Sequence, residues 1–219
     1  MPVILNPIQL LRDMGQSVWL DGLQRDLIHS GQLHRWMHDG LISGVTYDAR
    51  AHCHAVCTQR EYAEDVRSLI AGDIAPEQIR VTLLLEDARA AAELMTPMYR
   101  RTSGLEGLIS VPCMSLSADT EIMISEANLT WVSINLRYVD ALIGPKTITS
   151  LSPQTLLAYV DHGKPAQRLE DLAGVAELYA DMGQLGIDLD DMSDRLETQY
   201  MADAVAGVRA CIAAIAVLG

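Results

Sequence analysis

Apolar and polar positions along the chain switch repeatedly between two periods. Short runs with strand character lie at residues 17–21 (SVWLD), 44–48, 108–113 (LISVPC), 128–134 (NLTWVSI) and 147–150. Each is bounded by turn-forming residues, which predicts five short strands. Between them the apolar positions recur at helical spacing. Asn6 opens a helix with Pro7 in its first turn, where proline is tolerated. Leu23, Leu27, Ile28, Leu33, Trp36 and Met37 mark a helix over 23–38 with an interruption near Ser30 and Gly31. Further helices are predicted over 61–71, over 85–101 with a kink or break at Pro97, over 118–127, and as a turn at YVDALIG. From Pro153 onward the pattern is helical: PQTLLAYVDHG, then QRLEDLAGVAELYADMGQLG, then a long run from Asp190. Strands alternating with helices predict the α/β class.

At 219 residues and 24.0 kDa the chain fits one domain. It is shorter than the about 250 residues of a complete eight-stranded α/β barrel. A formal net charge of −13 and a pI near 4.7 disfavour nucleic acid and anionic membrane surfaces as partners, since both would repel it. A small-molecule substrate is expected instead. The opening residues lack a basic segment followed by a long apolar run, and the terminal ACIAAIAVLG is shorter than a bilayer span, so a soluble cytoplasmic protein is expected. Cys53, Cys57, Cys113 and Cys211 form no CxxC pair and are read as reduced thiols. Ten methionines and no phenylalanine leave the core to aliphatic side chains.

In α/β barrels the chemistry gathers at the carboxyl ends of the strands. Those positions hold Asp21, then Thr46 with Tyr47 and Asp48, then 112–114 with Cys113, then Ser133 and Asn135, then Thr149 and Ser150. Asp21 and Asp48 end successive strands, and two carboxylates brought close in a partly dry mouth push at least one pKa upward. Such a pair can serve as acid and base. Asp at these positions can equally cap the following helix. Thr46, Tyr47, Arg50, Cys113, Ser133 and Asn135 are the expected substrate contacts. The segment HCHAVC (His52 to Cys57) places Cys53 and Cys57 one helical turn apart with His52 and His54 pointing elsewhere. Four ligands therefore cannot converge from this segment, and neither a structural metal nor a cofactor is expected. A three-ligand site combining His52 or Cys53 with Cys113 or Asp48 stays open. Otherwise the cysteines are read as buried small residues and the histidines as surface or site-lining.

Several segments, taken in order, resemble transaldolase. GQSVWLDGLQRDLIHSGQLHRWMHDGLISGVTYDA is similar to that family's opening, GLEGLISVPCMSLSADTEIMISEA to its third strand, RYVDALIGPKTITSLSPQTLLAYVDHG to the run around its last strand, and LGIDLDDMSDRL to its C-terminal part. The resemblance implies a shortened TIM-barrel-like α/β fold in one domain, 1–219. Residues 1–127 would carry the first three βα units, 128–152 the last strands and 153–219 the C-terminal helices. It also implies that the middle strands are missing near Ala127, and with them the Schiff-base lysine of the family's fourth strand. The only lysines, Lys146 and Lys164, fall elsewhere. The familial third-strand glutamate falls at Pro112 and the aspartate after it at Met114. The phosphate-binding arginine falls at Asn135, and the Asn-Pro of GVT-NP at Asp48 and Ala49. Asp21 matches the first-strand aspartate that serves proton transfer.

Three retained opening strands and two closing ones would form an arc of five with two open edges. Unpaired strand edges call for cover, and a homodimer is the expected solution. Three functions remain open: a transaldolase-derived lyase, cyclase or isomerase working without an imine in specialised biosynthesis; a non-catalytic scaffolding subunit; or a residual aldol transferase.

Overall fold

The computed structural model describes residues 6–111, 129–133, 136–169 and 174–218, with backbone alone for 129–133. Five parallel strands form one sheet: β1 (Gln16–Asp21), β2 (Gly44–Thr46), β3 (Leu108–Ser110), β4 (Leu129–Ser133) and β5 (Thr147–Leu151). Their order is β3-β2-β1-β5-β4. This is the expected arc, in which the closing strands pair with the opening one. β5 lies beside β1 with Trp19 opposite Ser150, and β2 lies on the other side with Asp21 opposite Thr46. β3 and β4 form the two edges, each hydrogen-bonded on one side among the described residues.

The period-two alternation of the strands separates two faces. Val18, Leu20, Val45, Ile109 and Leu151 pack toward the helices in the main core. Trp19, Asp21, Gly44, Thr46 and Ser150 face the concave side. There Trp19 lies so close over Gly44 that a Cβ at Gly44 would overlap the indole, with Nε1 at 2.7 Å.

The helices are α1 (Pro7–Asp13), α2 (Arg25–His29), α3 (Gln32–His38), α4 (Ala49–Thr58), α5 (Arg60–Ala71), α6 (Pro76–Arg101), α7 (Leu136–Ala141), α8 (Pro153–His162), α9 (Val175–Gln184) and α10 (Leu189–Val217). The expected interruption at Gly31 is present, with φ of 70° capping α3. Pro97 neither ends nor splits α6, which runs 26 residues from Pro76. Proline removes one backbone donor, and on this exposed face the freed carbonyl can be solvated. The helix predicted from Gln167 begins instead at Val175, behind Gly174 at φ 74°. The backbone N–H groups of Arg168 and Leu169 are committed to the Ile143 carbonyl at 3.0 Å each. The predicted helix over 118–127 lies outside the described residues.

A second core forms where Cys53, Ala55 and Val56 of α4, Tyr62 and Val66 of α5, and Ile79 and Leu83 of α6 meet Val208, Cys211 and Ile215 of α10. The terminal apolar run is thus part of a 29-residue helix, not a short isolated segment. That helix is long and apolar enough to cross a membrane by length and composition, with a mean hydropathy of 1.6 over its most apolar window. Here the stripe Ala204, Val208, Cys211 and Ile215 is buried against protein, whereas Leu196, Tyr200 and Met201 are exposed.

Candidate active site at the carboxyl ends of the central strands

β1 ends at Asp21, and Gly22 turns the chain away at once with φ of 76°, a conformation open to glycine at no steric cost. Gly22 and Leu23 both donate their N–H groups to the Thr46 carbonyl, at 3.2 and 3.1 Å. The turn is thereby tied to β2, and the Asp21 side chain lies over Thr46. Thr46 Oγ1 is 2.7 Å from Asp21 Oδ1 and 3.0 Å from Ser150 Oγ. Ser150 is fully buried. A threonine hydroxyl carries one hydrogen, so an ionised Asp21 aligns the chain: Ser150 donates to Thr46, and Thr46 donates to Asp21. A protonated Asp21 can reverse its own link.

Burial pushes the Asp21 carboxyl above its usual value, the bond from Thr46 opposes the rise, and the charge of Asp48 adds to it. Asp48 also caps α4, accepting the Ala51 N–H at 2.7 Å through Oδ1. Of the roles weighed from the sequence, the cap is thus present at Asp48. The two carboxylates share an open cavity of about 660 Å³ with Gln24, Asp26, Arg50, His54, Ser152 and Gln154, among others.

Of the expected substrate contacts, Arg50 lines this cavity from the exposed side of α4 and Thr46 underlies it. Tyr47 does not join them. It follows Thr46 in the strand and so faces the helices, where it is buried with its ring 5.2 Å from His52. Cys113 and Asn135 lie outside the described residues; Ser133 pairs through its backbone with Leu151, and its side chain is likewise outside them. Neither lysine is near the mouth. Lys146 precedes β5, at the amino end of the sheet, about 17 Å along the strand from Leu151 at about 3.3 Å per residue. Lys164 follows α8, where its N–H lies 3.3 Å from Asp140 Oδ1.

The HCHAVC segment divides differently from expectation. Cys53 is buried as expected, but Cys57 is exposed because it sits on the outer flank of α4. His54 lines the cavity, whereas His52 is buried, with Nε2 3.6 Å from Asp87 Oδ2. No group of three or more His, Cys, Asp or Glu side chains among the described residues has an arrangement suited to a metal ion.

Sequence reasoning missed a buried polar cluster behind β2. Arg25 Nε donates to Asp87 Oδ1 at 2.6 Å, and Tyr62 Oη donates to Asp87 Oδ2 at 2.6 Å. The guanidinium stacks 4.5 Å from the centre of the Tyr62 ring and also reaches Asp65 and Glu86. Burial alone would raise the Asp87 pKa, but the His52 ring, the Tyr62 hydroxyl and the Arg25 guanidinium together hold it below its usual value. Partners separated by 62 residues leave no local signature. Ser152, missed as well, did have one: a serine before proline at a helix start, whose Oγ accepts the Thr155 N–H at 3.2 Å.

No family model matches the chain. Among curated proteins it is similar to the transaldolase of Thiobacillus denitrificans, at 33% identity over 119 residues, 54% of this chain and 33% of that relative. The transaldolase of Trichodesmium erythraeum is 31% identical over 57% of this chain and 33% of the relative, and that of Thermobifida fusca 30% over 58% and 34%. The matched part thus spans about a third of the length of these relatives.

Proposed function

The chain belongs to the transaldolase family as a shortened, divergent member, and from that premise we propose that its mouth performs acid–base chemistry without an imine on a small carbonyl or sugar-derived metabolite. The observation that carries this reading is the raised carboxyl of Asp21, wired through Thr46 to Ser150 and facing a cavity that also holds Asp48. A carboxyl held above its ordinary value keeps its proton closer to neutrality and can deliver it to a carbonyl or departing hydroxyl oxygen. Asp48 then takes the proton from the neighbouring carbon. Arg50 and His54, on the exposed edge of α4, orient the anionic or oxygen-rich end of the substrate. Imine chemistry needs a desolvated amine beside the reacting carbon, and the positions of Lys146 and Lys164 argue against it. The reaction classes that fit are lyase, cyclase or isomerase, in specialised biosynthesis in the cytoplasm.

A homodimer is part of this reading, supported by two strand edges that are unpaired among the described residues and by the exposed apolar side chains of α9 and α10, Leu178, Tyr179, Leu196 and Tyr200 among them. The same exposed surface favours a second reading, a scaffolding subunit without turnover. Exchange of carbon-bound hydrogen for deuterium, followed by proton NMR on a panel of hydroxyketones, hydroxyaldehydes and their phosphates, separates the readings. The wild type should exchange at the carbon next to a carbonyl, with Asp21→Asn slower by about a hundredfold or more. Exchange that is absent across the panel, or undiminished in folded Asp21→Asn, rejects acid–base catalysis. A borohydride-trapped adduct on Lys146 or Lys164 restores the aldol-transferase alternative.

A further inference from the structure

Three thiols meet where α10 crosses α4, away from the proposed reaction. Cys53 and Cys57 stand one turn apart on α4, and Cys211 belongs to the buried stripe of α10 that packs on it. Cys57 Sγ lies 3.9 Å from Cys211 Sγ. Cys57 is exposed, while Cys53 and Cys211 are buried. One sulfur of a close pair therefore meets solvent and the other is sheltered behind it. This is the arrangement needed for entry of an oxidant at one thiol and resolution by the next.

We propose that Cys57 and Cys211 close to a reversible disulfide that fastens α10 to α4, with Cys57 as the entry point for a low-molecular-weight disulfide. In the first step the Cys57 thiolate attacks one sulfur of the small disulfide, forming a mixed disulfide and releasing one small thiol. In the second, Cys211 attacks Cys57 Sγ, the mixed bond breaks, and a second small thiol leaves. The protein loses two electrons and two protons, and the small disulfide gains both as two thiols. The sulfurs move from 3.9 Å to about 2.05 Å.

Cys53 lies in the same buried cluster as Cys211. The hydrogen bond from Cys211 holds the Cys53 thiol below its usual value, despite burial, and the same contact keeps Cys211 above its own. As Cys211 attacks, its proton passes to the departing small thiolate, which leaves as the second small thiol. The bridge would act on the candidate site through contact. Gly207 of α10 lies against Arg50, and a Cβ at Gly207 would stand 3.2 Å from Arg50 Cγ. Fixing α10 therefore fixes one wall of a cavity residue.

The test treats the full chain with oxidised glutathione and follows intact mass, peptide mapping and backbone hydrogen exchange. The wild type should lose two hydrogens and yield one intramolecular Cys57–Cys211 cross-link, with exchange across 204–215 slowed by roughly tenfold or more. Cys211→Ser should stop at a stable single glutathione adduct on Cys57, and Cys57→Ser, altered only at an exposed position, should remain reduced. A stable Cys57 adduct in the wild type, a cross-link through Cys53 or Cys113, a cross-link between two chains, or no reaction at all would each overturn the proposal.

Discussion

Deleting the Asp87 side chain tests the cluster behind β2 most directly. Asp87→Ala removes the acceptor of Arg25 Nε and of Tyr62 Oη, each at 2.6 Å and each buried. Stripping one partner from a buried ion pair costs about 3–5 kcal/mol when the other charge is left alone. Arg25 is not left alone, because Asp65 and Glu86 also contact its guanidinium. Both are half exposed, however, and such pairs contribute little. The lower end applies, a loss of about 3 kcal/mol at pH 7. Asp87→Asn keeps the volume and one acceptor oxygen and should lose about 1.5–2 kcal/mol. Replacing both partners in Arg25→Met/Asp87→Leu should come within about 1 kcal/mol of the wild type, since no buried charge then lacks a partner. The pH dependence has a definite sign. Asp87 titrates below its usual 3.8 in the folded chain, so its contribution is complete above that value and disappears as pH falls through the folded pKa. The measurement is urea unfolding followed by far-UV circular dichroism at pH 7 and at steps down through pH 3. An Asp87→Ala loss below about 1 kcal/mol, or one that stays constant through the acid range, would refute the assignment.

Two further variants probe the concave face. Asp21→Asn should raise the thermal midpoint at pH 7, because a carboxyl raised by burial weakens the fold once pH exceeds its folded pKa; a gain of about 1 kcal/mol corresponds to roughly 2–4 °C at this size. The gain should shrink as pH falls through the folded pKa and vanish well below pH 3.8, where Asp21 is protonated in both states, and an equal loss of stability at pH 7 and in that acid range would remove Asp21 from the list of strained site residues. Gly44→Ala should cost about 1–3 kcal/mol by forcing the Trp19 ring off its seat, with a shift in tryptophan emission; a silent substitution would mean that the ring has room to move.

The sequence revealed most where the signal is local. Five strands were placed within a few residues, because short apolar runs bounded by turn formers are read from neighbours, and Gly31 announced its own break. Asp21 and Asp48, named because they follow strand ends, and Arg50 of α4 line one cavity. Tyr47 was misplaced although the rule that moves it is elementary: with Thr46 on the concave side, the next residue points to the helices. The helix expected over 85–101 begins nine residues earlier, at Pro76. Its buried positions Ile79, Arg80, Leu83, Leu84, Asp87, Ala91, Met95 and Met98 follow helical spacing, but two of them are charged. That aspartate, and the Arg25 and Tyr62 that make its burial tolerable, could not be paired from the sequence because the fold alone brings them together.

The strand order explains how such a mouth can persist in a shortened sheet. In a barrel of parallel strands the last strand lies beside the first, so a contiguous set of middle strands can be absent while every remaining pairing keeps its neighbours. Among the described residues the order β3-β2-β1-β5-β4 has this property, with β3 and β4 at its edges. The residues gathered at the candidate site come from β1, β2, β5 and the helices that follow them: Asp21, Thr46, Asp48, Ser150 and Ser152. These three strands are the ones hydrogen-bonded on both sides, so the Ser150–Thr46–Asp21 chain rests on the most constrained part of the sheet. Asp21 ends the central strand of this arrangement, which is why the proposed reaction is built on it.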